Sequence, residues 1–71
     1  MQYVMQQSET PGWWVLADKD NGIVIRFEEH KFNDTQQVTM LEDCTLTPIQ
    51  VARVMRELGD WVVRHHVDKV F

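Results

Sequence analysis

The sequence predicts an α+β domain: an antiparallel meander of three strands, or four if the N terminus pairs as an edge strand, packed against one long C-terminal helix. Three observations carry this reading. Asn21-Gly22 stands between two apolar runs, which is the strongest short-range hairpin signal. Thr47-Pro48-Ile49-Gln50 has the chemistry of a helix start. Beyond it, apolar residues recur at three- and four-residue spacing almost to Phe71.

The elements follow in order. Tyr3-Val4-Met5 is a candidate short edge strand, and Gln6 to Gly12 a flexible link ended by a Pro-Gly turn. Trp13 to Ala17 is rich in strand formers. Ile23 to Phe27 alternates, with Ile23, Ile25 and Phe27 on one face and Val24, Arg26, Glu28 and His30 on the other. This second strand is expected to run to Phe32. Two hairpin registers compete. A two-residue Asn21-Gly22 loop places Asp18 opposite Ile25. A three-residue Asp20-Asn21-Gly22 loop places Ala17 opposite Ile25 and Val15 opposite Phe27. The second is preferred because it keeps Asp18 off the apolar face. Asn33-Asp34-Thr35 reads as a turn, and Gln36 to Leu41 as a further strand with Val38 and Met40 on one face.

The helix is expected to run from Pro48 to His66 or Lys69. Thr47 can cap its first turn, Pro48 needs no N–H there, and Gln50 can close a capping box. On a wheel of about 100° per residue, Val51, Val54, Met55, Leu58, Trp61 and Val62 share one arc. That arc suits the inner face of the sheet. A second apolar group lies beside it: Ala52, Val63, Val67 and Val70, with Arg56 among them. One small sheet does not easily cover both arcs. These four residues are therefore the expected homodimer interface, since two-fold dimers are the commonest oligomers.

Size supports the same expectation. The chain of 71 residues reads as a single domain, 1–71. A core this small rarely supplies more than about 3–5 kcal/mol without a metal, disulfides or a partner. One cysteine, Cys44, excludes an intrachain disulfide. A reducing, cytoplasmic setting is expected. The start MQYVMQQSE has neither the basic nor the apolar region of a signal peptide, and no apolar run approaches membrane-spanning length.

The chemistry-bearing residues point away from an enzyme. His65 and His66 are adjacent on the helix, about 100° apart, and do not share one ion in regular geometry. Asp18, Asp20 and Asn21 lack the spacing of a calcium loop and read as turn chemistry. Cys44 has no histidine beside it in sequence, and Glu28-Glu29 on a strand face opposite ways. No cofactor-binding motif is present. The expected function is a small non-enzymatic protein-interaction or accessory regulatory module acting as a homodimer, of a kind suited to a bacterium or phage. Its partners are a second copy of itself and an unidentified protein.

Trp13-Trp14 opens a second expectation. One tryptophan of the pair faces the core and the other faces away, where it can stack on a base or anchor a partner. "CTLTPIQVARVMREL", residues 44–58, resembles the strand-end-to-helix step of the transcriptional-coactivator family of single-stranded-DNA binders. That resemblance implies binding of single strands on the open sheet face. Matched by residue type, the contacts would be Trp13 or Trp14, with Arg26 and Lys31. The net charge of −4 and the lack of lysine-rich strands place nucleic acid second.

Overall fold

The computed structural model describes residues 3–71. Four strands, β1 (Tyr3–Gln7), β2 (Trp13–Asp18), β3 (Ile23–Glu28) and β4 (Gln37–Met40), form one antiparallel sheet in the order β1-β2-β3-β4. A one-turn helix, α1 (Phe32–Thr35), links β3 to β4. Helix α2 (Pro48–His65) and a short α3 (Val67–Val70) close the chain. The predicted α+β meander on a C-terminal helix is the observed architecture, with the N-terminal edge strand included.

The β2–β3 register differs from both sequence expectations. Asp18 pairs with Ile23, Ala17 with Val24 and Leu16 with Ile25. Four residues, Lys19 to Gly22, therefore make the loop. The cause is Asp18, which sits on the apolar face at 1% exposure. Its carboxylate accepts the Asp20 and Asn21 amides and the Asn21 side-chain amide. A buried carboxylate is tolerated when hydrogen bonds replace its water. Gly22 closes the loop with φ +71° and donates its N–H to the Asp18 carbonyl at 2.9 Å. Leu16 and Trp14 consequently share a face with Ile25 and Phe27, and Trp13 takes the other.

Strand β3 also stops earlier than its alternation suggests, at Glu28 rather than Phe32. His30 adopts φ +67° and turns the chain inward. Its N–H donates to the Lys69 carbonyl at 2.7 Å. Thr35 Oγ1 accepts the Glu28 amide and donates to the Lys31 carbonyl, which fixes α1 in place of the expected turn. The detour delivers Phe32 to the core, edge-on to Phe27 at 4.9 Å between ring centroids.

Helix α2 begins as the sequence requires. Thr47 Oγ1 accepts the Gln50 amide at 3.3 Å, and Gln50 Oε1 accepts the Thr47 amide at 2.9 Å. This reciprocal cap replaces two of the partners that a helix N-terminus otherwise lacks. Val54, Leu58 and Val62, spaced by four, are buried against Leu16, Ile23, Ile25 and Phe27. Val51 and Trp61 flank them, half-buried. The helix breaks at His66, and α3 folds back so that Val70 joins the same core.

Candidate functional site

Among the described residues two surfaces of the fold lack cover, and the register decides what each presents. Residues directly opposite on neighbouring strands point to the same face. Tyr3, Asp18, Ile23 and Met40 form one row of the inner face, and Met5, Leu16, Ile25 and Val38 the next. On β2 and β3 these side chains are sealed by α2. On β1, Tyr3 and Met5 pack against the core. On β4 the same face is open: Val38 is 39% exposed and Met40 58%.

The placement of α2 explains the asymmetry. Trp61 meets Tyr3 edge-on at 5.6 Å, and Tyr3 Oη donates to Glu57 at 3.4 Å. That flank of the helix therefore leans over β1. Val63 lies two positions from Trp61, about 200° further round. Measured the same way, the buried Val54, Leu58 and Val62 fall between about 20° and 100°, so Ala52 and Val63, at about 180° and 200°, lie beyond the core arc from Trp61 and toward solvent, and both are exposed. Leu41, just after β4, is exposed as well. As the terminal strand of the sheet, β4 also presents a row of backbone groups with no partner strand among the described residues.

Of the four residues assigned to a dimer interface from the sequence, Ala52, Val63 and Val67 are exposed. Val70 requires correction. It is 1% exposed and belongs to the chain's own core. The wheel that grouped it with Val63 and Val67 assumed an unbroken helix, and the break at His66 turns Val70 inward.

The outer face of the sheet is the second uncovered surface. Val4, Ala17 and Val24 form one row, and Val15 and Arg26 pair in the next. All are half-buried, and no described helix contributes a buried side chain to this face. The Arg26 guanidinium lies over the Trp13 ring, 5.6 Å from its centroid. Its Nη2 donates to Ser8 Oγ and Thr10 Oγ1 in the β1–β2 loop.

The four residues matched by type for nucleic acid are divided by the fold. Trp13 and Arg26 come together on the outer face. Trp14 points inward, where its Nε1–H donates to Glu29 Oε1 at 3.2 Å and Lys69 lies over its ring. Lys31 pairs with Glu28 at 3.7 Å. The Ser8 and Thr10 hydroxyls beside Arg26 were not legible as site residues, because only the loop geometry brings them there.

His65 and His66 both lie beside Trp61, at 5.3 and 5.2 Å between ring centroids. Among the described residues no group of three or more His, Cys, Asp or Glu side chains is placed to hold a metal ion. Among them, too, no helix is long and apolar enough to cross a membrane. The fold and its two open faces define a meander-plus-helix α+β protein. Comparison with known protein families, with characterised proteins and with solved structures finds no match to this chain.

Proposed function

We propose that this chain is a cytoplasmic, non-enzymatic interaction module that works as a homodimer, with β4 at the seam. One observation carries the reading: Val38 and Met40 point to the core face of the sheet, yet among the described residues they stay 39% and 58% exposed. A second copy related by a two-fold axis supplies the missing neighbour. Antiparallel pairing of β4 with its mate extends the sheet to eight strands and satisfies the free edge. On each helix the exposed Ala52 and Val63, beyond the core arc from β1, add to the same contact. With the exposed Leu41, these side chains extend the apolar patch beyond the strand itself.

Light scattering across a dilution series tests this. The wild type should approach twice the chain mass of 8.4 kDa at high concentration. Met40→Lys, which places a charge on the open inner face of β4, should hold the protein at the monomer mass with its helix content intact. So should Val63→Asp. A wild type that stays monomeric throughout removes the reading.

A second reading, single-stranded nucleic acid on the outer face, draws support from the Trp13–Arg26 pair alone. A salt-dependent mobility shift of labelled single strands is its test, and no binding at low salt removes it.

A further inference from the structure

The outer face holds a hollow of about 380 Å³, away from the β4 seam, lined by Gln6, Ser8, Glu9, Thr10, Val15 and Arg26. The β1–β2 loop builds it. Ser8 N–H donates to the Trp13 carbonyl at 2.9 Å, and Trp13 N–H donates to the Thr10 carbonyl at 3.1 Å. Thr10 N–H donates to Ser8 Oγ at 3.2 Å. Both hydroxyls are thereby fixed over the sheet, next to Arg26.

The satisfaction of Arg26 is incomplete in a specific way. Its Nη2 reaches the two hydroxyl oxygens at 3.2 and 3.3 Å. Contacts from a guanidinium to a carboxylate or phosphate are shorter, about 2.7–2.9 Å, and about twice as strong. Among the described residues no carboxylate lies within ion-pairing distance of Arg26, and no protein acceptor meets its Nε or Nη1. Trp13 covers one face of the guanidinium and removes water from it. A half-desolvated cation with spare donors favours an anion.

The donor set also selects the shape of that anion. Either coplanar fork of a guanidinium uses Nη2, and here Nη2 is taken by Ser8 and Thr10. A planar carboxylate therefore finds no free fork. Nη1 and the two hydroxyl protons remain, and they approach from different directions. A tetrahedral oxyanion accepts donors from several directions at once. We propose that this hollow binds a phosphate group, as the free ion or as a small phosphomonoester. Arg26 Nη1 is its charged donor, and the Ser8 and Thr10 hydroxyls are its neutral ones. Glu9 on the rim opposes the anion and sets a ceiling on affinity.

The test is a titration of ¹⁵N-labelled protein with inorganic phosphate, and separately with glycerol phosphate, at constant ionic strength held with chloride. Saturable shifts are expected at the Ser8, Thr10, Trp13 and Val15 amides and at Arg26 Nε–H. Tighter saturation by glycerol phosphate would assign the site to an ester, and tighter saturation by phosphate to the free ion. Arg26→Gln should weaken binding about tenfold or more, and Thr10→Val severalfold, with the inner-face amides unmoved in both. Glu9→Gln should strengthen it severalfold. Thr10→Val leaves the sheet untouched and keeps the test open should Arg26→Gln unfold. Absence of saturable shifts up to about 50 mM of either ligand overturns the proposal, as do equal shifts in wild type and both weakening variants.

Discussion

Asp18 Oδ2 accepts a hydrogen bond from Asn21 Nδ2 at 2.8 Å, inside the hairpin that joins β2 to β3. Oδ1 of the same carboxylate accepts two backbone amides of the turn. Removing the acceptor leaves these part-buried donors without their protein partner. Asp18→Ala should cost about 2–4 kcal/mol in urea denaturation, since the loss of a buried acceptor exceeds the net value of its bonds. Asn21→Ala removes one donor and leaves the carboxylate two amides. It should cost about 1 kcal/mol. Equal effects for the two variants would contradict the assignment of Asp18 as the organiser of the turn.

Asp18 also shows where sequence reasoning reached its limit. Polarity argued for placing it in water, and that argument fixed a register one residue away from the real one. The amides that satisfy it exist only once the loop has formed, so no side-chain pattern announces them. The cap at Thr47 and Gln50 is different, because both partners lie within one turn of chain and the residue types alone specify the geometry. The core arc of α2 was legible for the same reason, as regular periodicity places Val54, Leu58 and Val62 together. Val70 was misplaced because the wheel was carried past His66. The pairing of Trp13 with Arg26 depends on the register and could not precede it. The openness of β4 was invisible as well, since alternation makes Val38 and Met40 resemble any covered strand.

Val67 and Val70 stand three residues apart in α3 and differ in surroundings as much as two valines can. Val67 is 54% exposed, whereas Val70 is sealed. Val70→Ala should therefore cost about 1–3 kcal/mol, from lost burial and the cavity left behind. Val67→Ala should change stability by less than about 0.5 kcal/mol. Thermal unfolding of the two variants under monomeric conditions separates them. A larger loss at Val67 would mean that α3 does not dock as described.

Gly22 and Gly59 should respond to alanine with opposite signs. At Gly22 the backbone has φ +71°, and an added Cβ would lie 2.9 Å from Asp43 Oδ1 and 3.5 Å from the Cys44 Cβ. Gly22→Ala should cost about 1–3 kcal/mol from the left-handed backbone and the crowding together. At Gly59, within α2, an added Cβ meets nothing within 4 Å. Gly59→Ala should stabilise the monomer by about 0.5–1 kcal/mol, the difference in helix propensity. Denaturation at concentrations below association reads both effects. Destabilisation at Gly59 would show that another part of the chain approaches it closely.

The chain has a single tyrosine, so its phenol can be titrated by near-ultraviolet absorbance without overlap from another. Burial beside Trp61 pushes the Tyr3 phenol above its ordinary value of 10.0. The nearby charge of Glu57 raises it further, followed by Asp18, the hydrogen bond to Glu57, and Asp20. Each of these disfavours the phenolate. The folded protein thus holds this proton more tightly than the unfolded chain does. The resulting stabilisation is fully present below pH 10.0 and is lost as pH rises from there through the folded value. Glu57→Gln should move the Tyr3 titration back toward its ordinary position, because it removes the charge while leaving the aromatic contact. Tyr3→Phe should abolish this group's share of the alkaline decline in stability. A phenol titrating at or below its ordinary value in the folded protein would mean that Tyr3 does not pack against α2, and that the tilt of the helix toward β1, which leaves β4 open, is wrong.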